Sequence, residues 1–350
     1  MGLFERLFPR TSAAVNTALI DLPIRSPWST GQLTKVVVGE LAGIRPGSVT
    51  REQLIRIPAV SRGRGLVCGT LARYPLTLWQ YGEPDSTRLP TPAWMTSTTT
   101  GQAPALRNLW TLDDLLFSGL SLWAAKRDGD GQLLDAARVP PREWAVDPNT
   151  YDVLINGRPV TDPSEVILFE GPQEGLCTIA EESAAGSRDL SNAWRQRVSA
   201  PLPMVVVRQT DPNAQLADTE IDKVLKDVEA ARAKSGTVFV PDGYELVAPG
   251  SGQAPDLYVA GRNADRLDWA NLLQLPASML EGSMSTASLT YSTAEGSRSE
   301  FIDYSLAYWA MAFEGRLSQD DVTEPGTYTR IDLTALATPI QAGTNPATED

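Results

Sequence analysis

Residues 281–317 read EGSMSTASLTYSTAEGSRSEFIDYSLAYWAMAFEGRL, and the two halves of this stretch obey different rules. From Glu281 to Thr293 there is no apolar periodicity, only hydroxyl-rich and small residues, which predicts a loop. From Ala294 to Leu317 the spacing predicts a helix with two apolar stripes. One is Ile302, Leu306, Trp309, Phe313 and Leu317; the other is Phe301, Tyr304, Tyr308 and Met311. Such a helix must be covered on both sides, by a second layer of its own chain or by a neighbouring subunit.

Working outward, Pro255 precedes a predicted helix that runs to about Leu275, where Pro276 interrupts it. Before it, residues 204–247 form an α/β insertion. Strands are predicted at 204–207, 237–240 and 244–247, around a helix capped by Thr219, with Ile221, Val224, Leu225 and Val228 as its stripe. A polar, Ala-rich helix is predicted at 178–198. Between Lys126 and Gly171 the pattern is short strands, with Asp128–Gly131 and Asn156-Gly157 as turns. Thr111 is predicted to cap a helix carrying Leu112, Leu115, Leu116, Gly119 and Trp123 on one stripe. A loop is predicted over 84–105, a strand over 76–81 and a helix over 59–74. Residues 1–56 read as an irregular arm.

The 350 residues include no histidine, which removes Ser-His-Asp and Cys-His nucleophile pairs and His-ligated zinc. Cys68 and Cys177 are too few for a four-cysteine metal site or a disulfide framework. Gly63, Gly65 and Gly69 imitate a dinucleotide fingerprint but follow no strand, so they read as helix glycines. Asp128 and Asp130 lack the Glu that would complete a calcium loop. The adjacent carboxylates Asp113-Asp114, Glu181-Glu182 and Asp320-Asp321 diverge by about 100° on a helix, so they read as solvated faces or caps, not dyads. The longest apolar run, Leu306–Phe313, is too short to span a bilayer, and the N-terminus has no signal-peptide pattern. These features describe a soluble protein made inside the cell, with no enzymatic activity, no cofactor and no metal.

Charge is uneven. Residues 1–80 hold ten Lys+Arg against four Asp+Glu, and the rest of the chain holds 20 against 39. Such a balance serves solubility first; if the chain handles nucleic acid, it would guide or exclude it, not grip it. Any tight duplex binding would come through Arg45, Arg51, Arg56, Arg62 and Arg64, whose expected use is instead to pair with the acidic remainder at a subunit interface.

Three strings, in order, resemble the portal proteins of tailed bacteriophages, the siphophage-type head portal family. They are AVSRGRGLVCGTLARYPLTLW (59–79), PAWMTSTTTGQAPALRNLWTLDDLLFSGLSLWAA (92–125), and LLQLPASMLEG (272–282) followed by residues 289–317. The likeness spans about residues 57–320. It implies an α+β portal fold with a wing, a helical stem, a small α/β clip and a reduced crown, assembled as a ring. Residues 1–173 and 294–317 would be wing, 174–200 and 254–280 stem helices, and 201–253 the clip. Residues 281–293 would be the tunnel loop, and 318–350 a short crown and tail.

The resemblance implies a dodecameric ring at one capsid vertex, through which double-stranded DNA is packaged and ejected. Its partners would be further copies of itself, the major capsid protein, the terminase large subunit transiently, then a head–tail connector, with no membrane. It would be built in the host cytoplasm and reside in the virion. Glu281, Ser283, Met284, Ser285, Thr286, Ser288, Leu289, Thr290 and Tyr291 would face the DNA. Phe301, Tyr304, Tyr308, Trp309 and Phe313 would pack between subunits. The alternatives are another ring component of the head–tail junction, or a carboxylate-dependent hydrolase.

Overall fold

A computed structural model describes residues 49–147, 150, 152–199, 206–212, 217–234, 240–247, 256–280, 296 and 298–337. The chain divides into two units, residues 1–181 with 269–350, and residues 182–268.

In the first unit, Thr50 caps α1 (Arg51–Leu54) reciprocally. Its Oγ1 accepts from the Gln53 amide, and Gln53 Oε1 accepts from the Thr50 amide. Pro58 opens α2 (Pro58–Arg64), which passes through a π-turn at Gly65–Gly69 into α3 (Thr70–Arg73). The three glycines are helix residues, and Val60, Val67, Cys68 and Leu71 are buried. Pro75 ends the run. β1 (Leu76–Gln80) is then the central strand of an antiparallel sheet, between β2 (Thr87–Leu89) and β11 (Thr327–Ile331). The segment predicted as an 84–105 loop therefore contains β2 and a short α4 (Ala93–Thr96), whose Trp94 and Met95 are buried.

Helix α5 (Pro104–Ser118) begins at a proline, whose missing N–H costs nothing in a first turn. Thr111 is therefore mid-helix and not a cap. Its hydroxyl donates to Arg107 O (2.8 Å) and accepts from Trp123 Nε1 (2.7 Å). Trp123 does not belong to the helical stripe either, because α5 stops at Gly119, a left-handed residue with φ +76°. The chain leaves Gly119 as β3 (Leu120–Arg127), which pairs with β4 (Leu133–Val139) and β8 (Val166–Glu170) in the order β4-β3-β8. The predicted turn at Asp128–Gly131 joins β3 to β4. β5 (Trp144–Val146), β6 (Val153–Ile155) and β7 (Arg158–Pro159) make a third antiparallel sheet, turned at Asn156-Gly157. One apolar cluster, including Leu122, Val139, Val153, Ile155 and Leu168, joins it to the β4-β3-β8 sheet.

After α6 (Leu176–Ile179) the chain enters the second unit and returns at Trp269. The 294–317 helix is described from Arg298 onward, with residue 296. It contains a π-turn at Phe301–Leu306 before α10 (Ala307–Leu317), and α11 (Thr334–Ala337) follows β11. The core is aromatic: Phe169 lies 4.7 Å from Trp123 and 5.5 Å from Phe313 between ring centroids, and Trp309 Nε1 donates to Leu273 O (3.0 Å).

The second unit is smaller. It holds most of α7 (Glu181–Ser199), an antiparallel pair of β9 (Val206–Gln209) and β10 (Tyr244–Val247), α8 (Asp218–Lys234), and α9 (Asp256–Leu272) up to Asp268. α8 starts one residue before Thr219, and the Ala217 amide is satisfied by Glu220 Oε2 (3.2 Å). The strand expected at 237–240 lies outside the described residues, apart from an irregular Val240.

The end of α5 also fixes the entry to α6. A Cβ on Gly175 would stand 2.4 Å from Phe117 O and from the Ser118 carbonyl carbon, backbone atoms that cannot step aside. Gly175→Ala is expected to destabilise the fold by about 2–3 kcal/mol. Gly315→Ala, in open space on α10, should instead stabilise it by about 0.5–1 kcal/mol. Urea midpoints of the two variants, read against the parent chain, check both.

Candidate functional site

Asp113 and Asp114 sit beside Leu112, Leu115 and Leu116 on α5, and both are buried rather than solvated. The expectation of a solvated face or cap fails because arginines from three other segments reach them. Asp113 accepts from Arg51 Nε and Nη2 (2.6 and 3.1 Å) and from Arg64 Nε (2.6 Å). Asp114 accepts from Arg138 Nε and Nη2 (both 2.6 Å) and from Ser121 Oγ (2.8 Å). Trp110, one turn earlier, lies under all three guanidiniums at 5.3–5.6 Å. Burial raises the Asp114 carboxyl above its ordinary value, while Arg138 and Ser121 pull it back. The hydrogen bond to Asp113 raises Arg51 against the opposing effect of burial.

These contacts correct the expectation for Arg51 and Arg64, whose carboxylate partner lies in their own chain. Arg62 Nε donates to Met279 O (2.8 Å). Arg45 lies outside the described residues. A further guanidinium, Arg107, is fully buried over Trp123 at 4.4 Å, donating to Ala136 O and Trp94 O. Burial pushes it down to about 10, and Asp135 opposes that. These groups clamp the fold and present no open reactive centre. Both cysteines are free. Burial pushes the Cys177 thiol up to about 11 and the Cys68 thiol higher, away from nucleophilic use. Among the described residues no cluster of carboxylates and thiols could hold a metal ion, and no helix is long and apolar enough to cross a membrane.

The residues predicted to pack between subunits separate into two groups. Trp309 and Phe313 are wholly inside their own chain's core, and Phe301 is nearly so; they are not available to a neighbour. Tyr308 is half-buried, its hydroxyl within 3.1 Å of Gln173 Oε1. Tyr304, 76% exposed, stands in solvent together with Met311 at 60%. The first stripe is thus covered by the chain itself, while the second is covered at Phe301, half-covered at Tyr308 and bare at Tyr304 and Met311. All nine residues of the predicted DNA-facing loop, from Glu281 to Tyr291, lie outside the described residues.

In the second unit, α7 and α9 run antiparallel with a narrow seam. Ser187 Oγ bonds Asp265, Leu190 lies against Gly261, and Arg262 covers the Trp194 ring at 5.0 Å. Within residues 182–268 of these helices only Ala184 and Ser187 are buried among the described positions, while Trp194, Val259 and Leu267 are exposed. Ile221 and Leu225 of α8 are exposed as well.

Among solved structures, the chain is similar to an HK97 family phage portal protein from Corynebacterium diphtheriae. The identity is 30% and the TM-score 0.66, over 85% of this chain and 100% of that one. The same fold occurs in the neck of an empty gene transfer agent particle with C6 symmetry, at 17% identity, TM-score 0.55, and 86% and 90% coverage. It occurs again in the neck of the native particle with C12 symmetry, at 16% identity, TM-score 0.51, and 86% and 89% coverage. No family model matches the chain, and no curated protein does.

Removing one carboxylate from the arginine cluster leaves like charges facing each other around Trp110. Asp113→Asn is expected to cost about 2–4 kcal/mol, less than a fully enclosed pair would because Arg51 and Arg64 keep some contact with water. Thermal unfolding of the variant should show a clear fall in midpoint; an unchanged midpoint would mean the two arginines are satisfied without Asp113.

Proposed function

The chain belongs to the HK97 family of phage portal proteins, and from that membership we propose that it forms the ring-shaped portal at one capsid vertex. In this reading double-stranded DNA passes through the ring during packaging and ejection. The ring docks the terminase motor and later a head–tail connector, and it sits against the major capsid protein in the virion. The observation that carries the proposal is the α7–α9 pair. Two helices that touch along one narrow seam and expose Trp194, Val259 and Leu267 gain their missing burial from other copies. The acid excess beyond residue 80 supports a channel wall that repels a passing duplex instead of binding it. The engagement of Asp113 and Asp114 by arginines supports a structural over a hydrolytic role.

On this proposal residues 1–173 and 294–317 act as wing, 174–200 and 254–280 as stem, and 201–253 as clip. Residues 281–293 act as tunnel loop and 318–350 as a short crown. The neck with C12 symmetry supports twelve copies. Twelve copies of the 37.9 kDa chain would weigh about 455 kDa. Native mass and negative-stain images are expected to show a closed ring near that mass, and a monomer or dimer under every salt condition would refute the assembly. Deleting 283–288 is expected to leave the ring intact while reducing DNA packaging or retention; normal packaging, retention and infectivity would remove the role assigned to the loop.

A further inference from the structure

The three-stranded sheet β11-β1-β2 has one buried face and an opposite face that is partly exposed: Thr77 there is buried and its hydroxyl accepts from Trp79 Nε1 (2.9 Å), while Trp79 and Tyr328 are half-buried. Leu76, Leu78, Thr329 and Ile331 point inward and are buried. By strand alternation Trp79 of β1, Tyr328 and Arg330 of β11, and Arg88 of β2 share the opposite face, continued by Tyr81 just beyond β1. Tyr81, 66% exposed, lies 4.5 Å from Tyr328 between ring centroids, and the Arg330 guanidinium covers the Tyr328 ring at 5.8 Å. Arg88 stands 3.4 Å from Asp332. Glu314 contributes to the field at Arg330 from the inner side, where its carboxylate accepts from the Ile331 amide (2.7 Å). The outer face thus carries an aromatic platform with two arginines, Arg330 and the Asp332-paired Arg88, and with Glu83 and Asp85 exposed in the turn after Tyr81, on a chain whose net charge is −13.

The helix that contains the Phe301–Leu306 π-turn and α10 carries the opposite pattern. Tyr304 and Met311 lie on one side, seven residues apart, with exposed Glu300, Asp303 and Ala307 around them and Arg298 half-buried at the near end. Aromatic and thioether surface is here flanked by carboxylates.

We infer that these two faces mate between adjacent copies of the chain, the Tyr81–Tyr328 platform of one receiving the Tyr304–Met311 side of the next. The inference rests on the ring reading above and names the surfaces that close it. Opposite charges on two different patches suit a head-to-tail contact, which closes into a ring; a two-fold contact would pair them only if both patches lay together on one self-complementary surface. The contact is made by faces and not by strand addition, because the outer edge of β11 is already occupied. Ser318 Oγ accepts from the Thr329 amide (2.9 Å), and Glu314 takes that of Ile331.

Charge swapping tests this directly. Native mass of the parent chain first establishes whether a ring forms, which tests the ring reading alone. If it does, Arg88→Glu with Arg330→Glu, and separately Glu300→Arg with Asp303→Arg, should each raise the concentration for half-assembly about tenfold or more through like-charge contact. All four positions are exposed, and an unchanged thermal midpoint of the monomer confirms the fold of each variant. The two variants mixed in equal amounts should assemble again, because each platform then meets a complementary helix, and the fourfold variant should assemble alone. A parent ring whose assembly neither double variant alters would overturn the pairing, as would failure of both the mixture and the fourfold variant to recover.

Discussion

Two carboxylates on consecutive buried positions of α5 set the terms for what packs around that helix. A buried, unpaired carboxylate costs several kcal/mol, so each must be neutralised where it stands. Asp113 draws Arg51 from α1 and Arg64 from α2, and Asp114 draws Arg138 from β4. Three segments far apart in sequence are thereby held to one turn of helix, with Trp110 beneath their guanidiniums. The positions of the first helices and of the β4-β3-β8 sheet follow from satisfying those two charges.

Much of this fold was legible in the sequence where local chemistry decides it. Asn156-Gly157 and Asp128–Gly131 specify turns through residues that tolerate left-handed backbone, and the structure has both turns. The prolines at 58 and 75 bracket the first long helical run. The failures are where tertiary partners overrule local signals. Thr111 has the chemistry of a cap, but its hydroxyl is taken by Arg107 O and Trp123, and the helix begins a full seven residues earlier at Pro104. Trp123 fits the helical period and yet lies on a strand, because Gly119 turns the chain out of α5 first. The signal for the buried carboxylates was present, since Asp113 and Asp114 are flanked by leucines. Their arginine partners are 49, 62 and 24 residues away and share no pattern with them.

The assembly surface was legible only as an excess. The doubly apolar helix showed that more apolar surface exists than one partner could cover, without saying which stripe the chain would keep. The aromatic core keeps Trp309 and Phe313, leaving Tyr304 and Met311 outside. The same excess recurs on α7, α8 and α9, where exposed Trp194, Leu225 and Val259 accompany helices with little internal seam. Seen together, these surfaces are apolar area that the described chain does not cover by itself. The reading of the acidic balance is of the same kind: it constrains how a polyanion is treated and leaves the geometry of the encounter open.

The central strand of the platform sheet, β1, is made early in translation, while its partner β11 follows about 250 residues later. Loop-closure entropy makes such a pairing late to form, and it cannot form before residues 327–331 have left the ribosome. Tyr81 therefore waits for Tyr328, and the surface proposed to receive a neighbour exists only once residues 327–331 have been made. A chain that stops before residue 327 lacks it, so under the proposed pairing it would not join a neighbour through that side. The topology of one small sheet would then let assembly itself reject chains that lack β11.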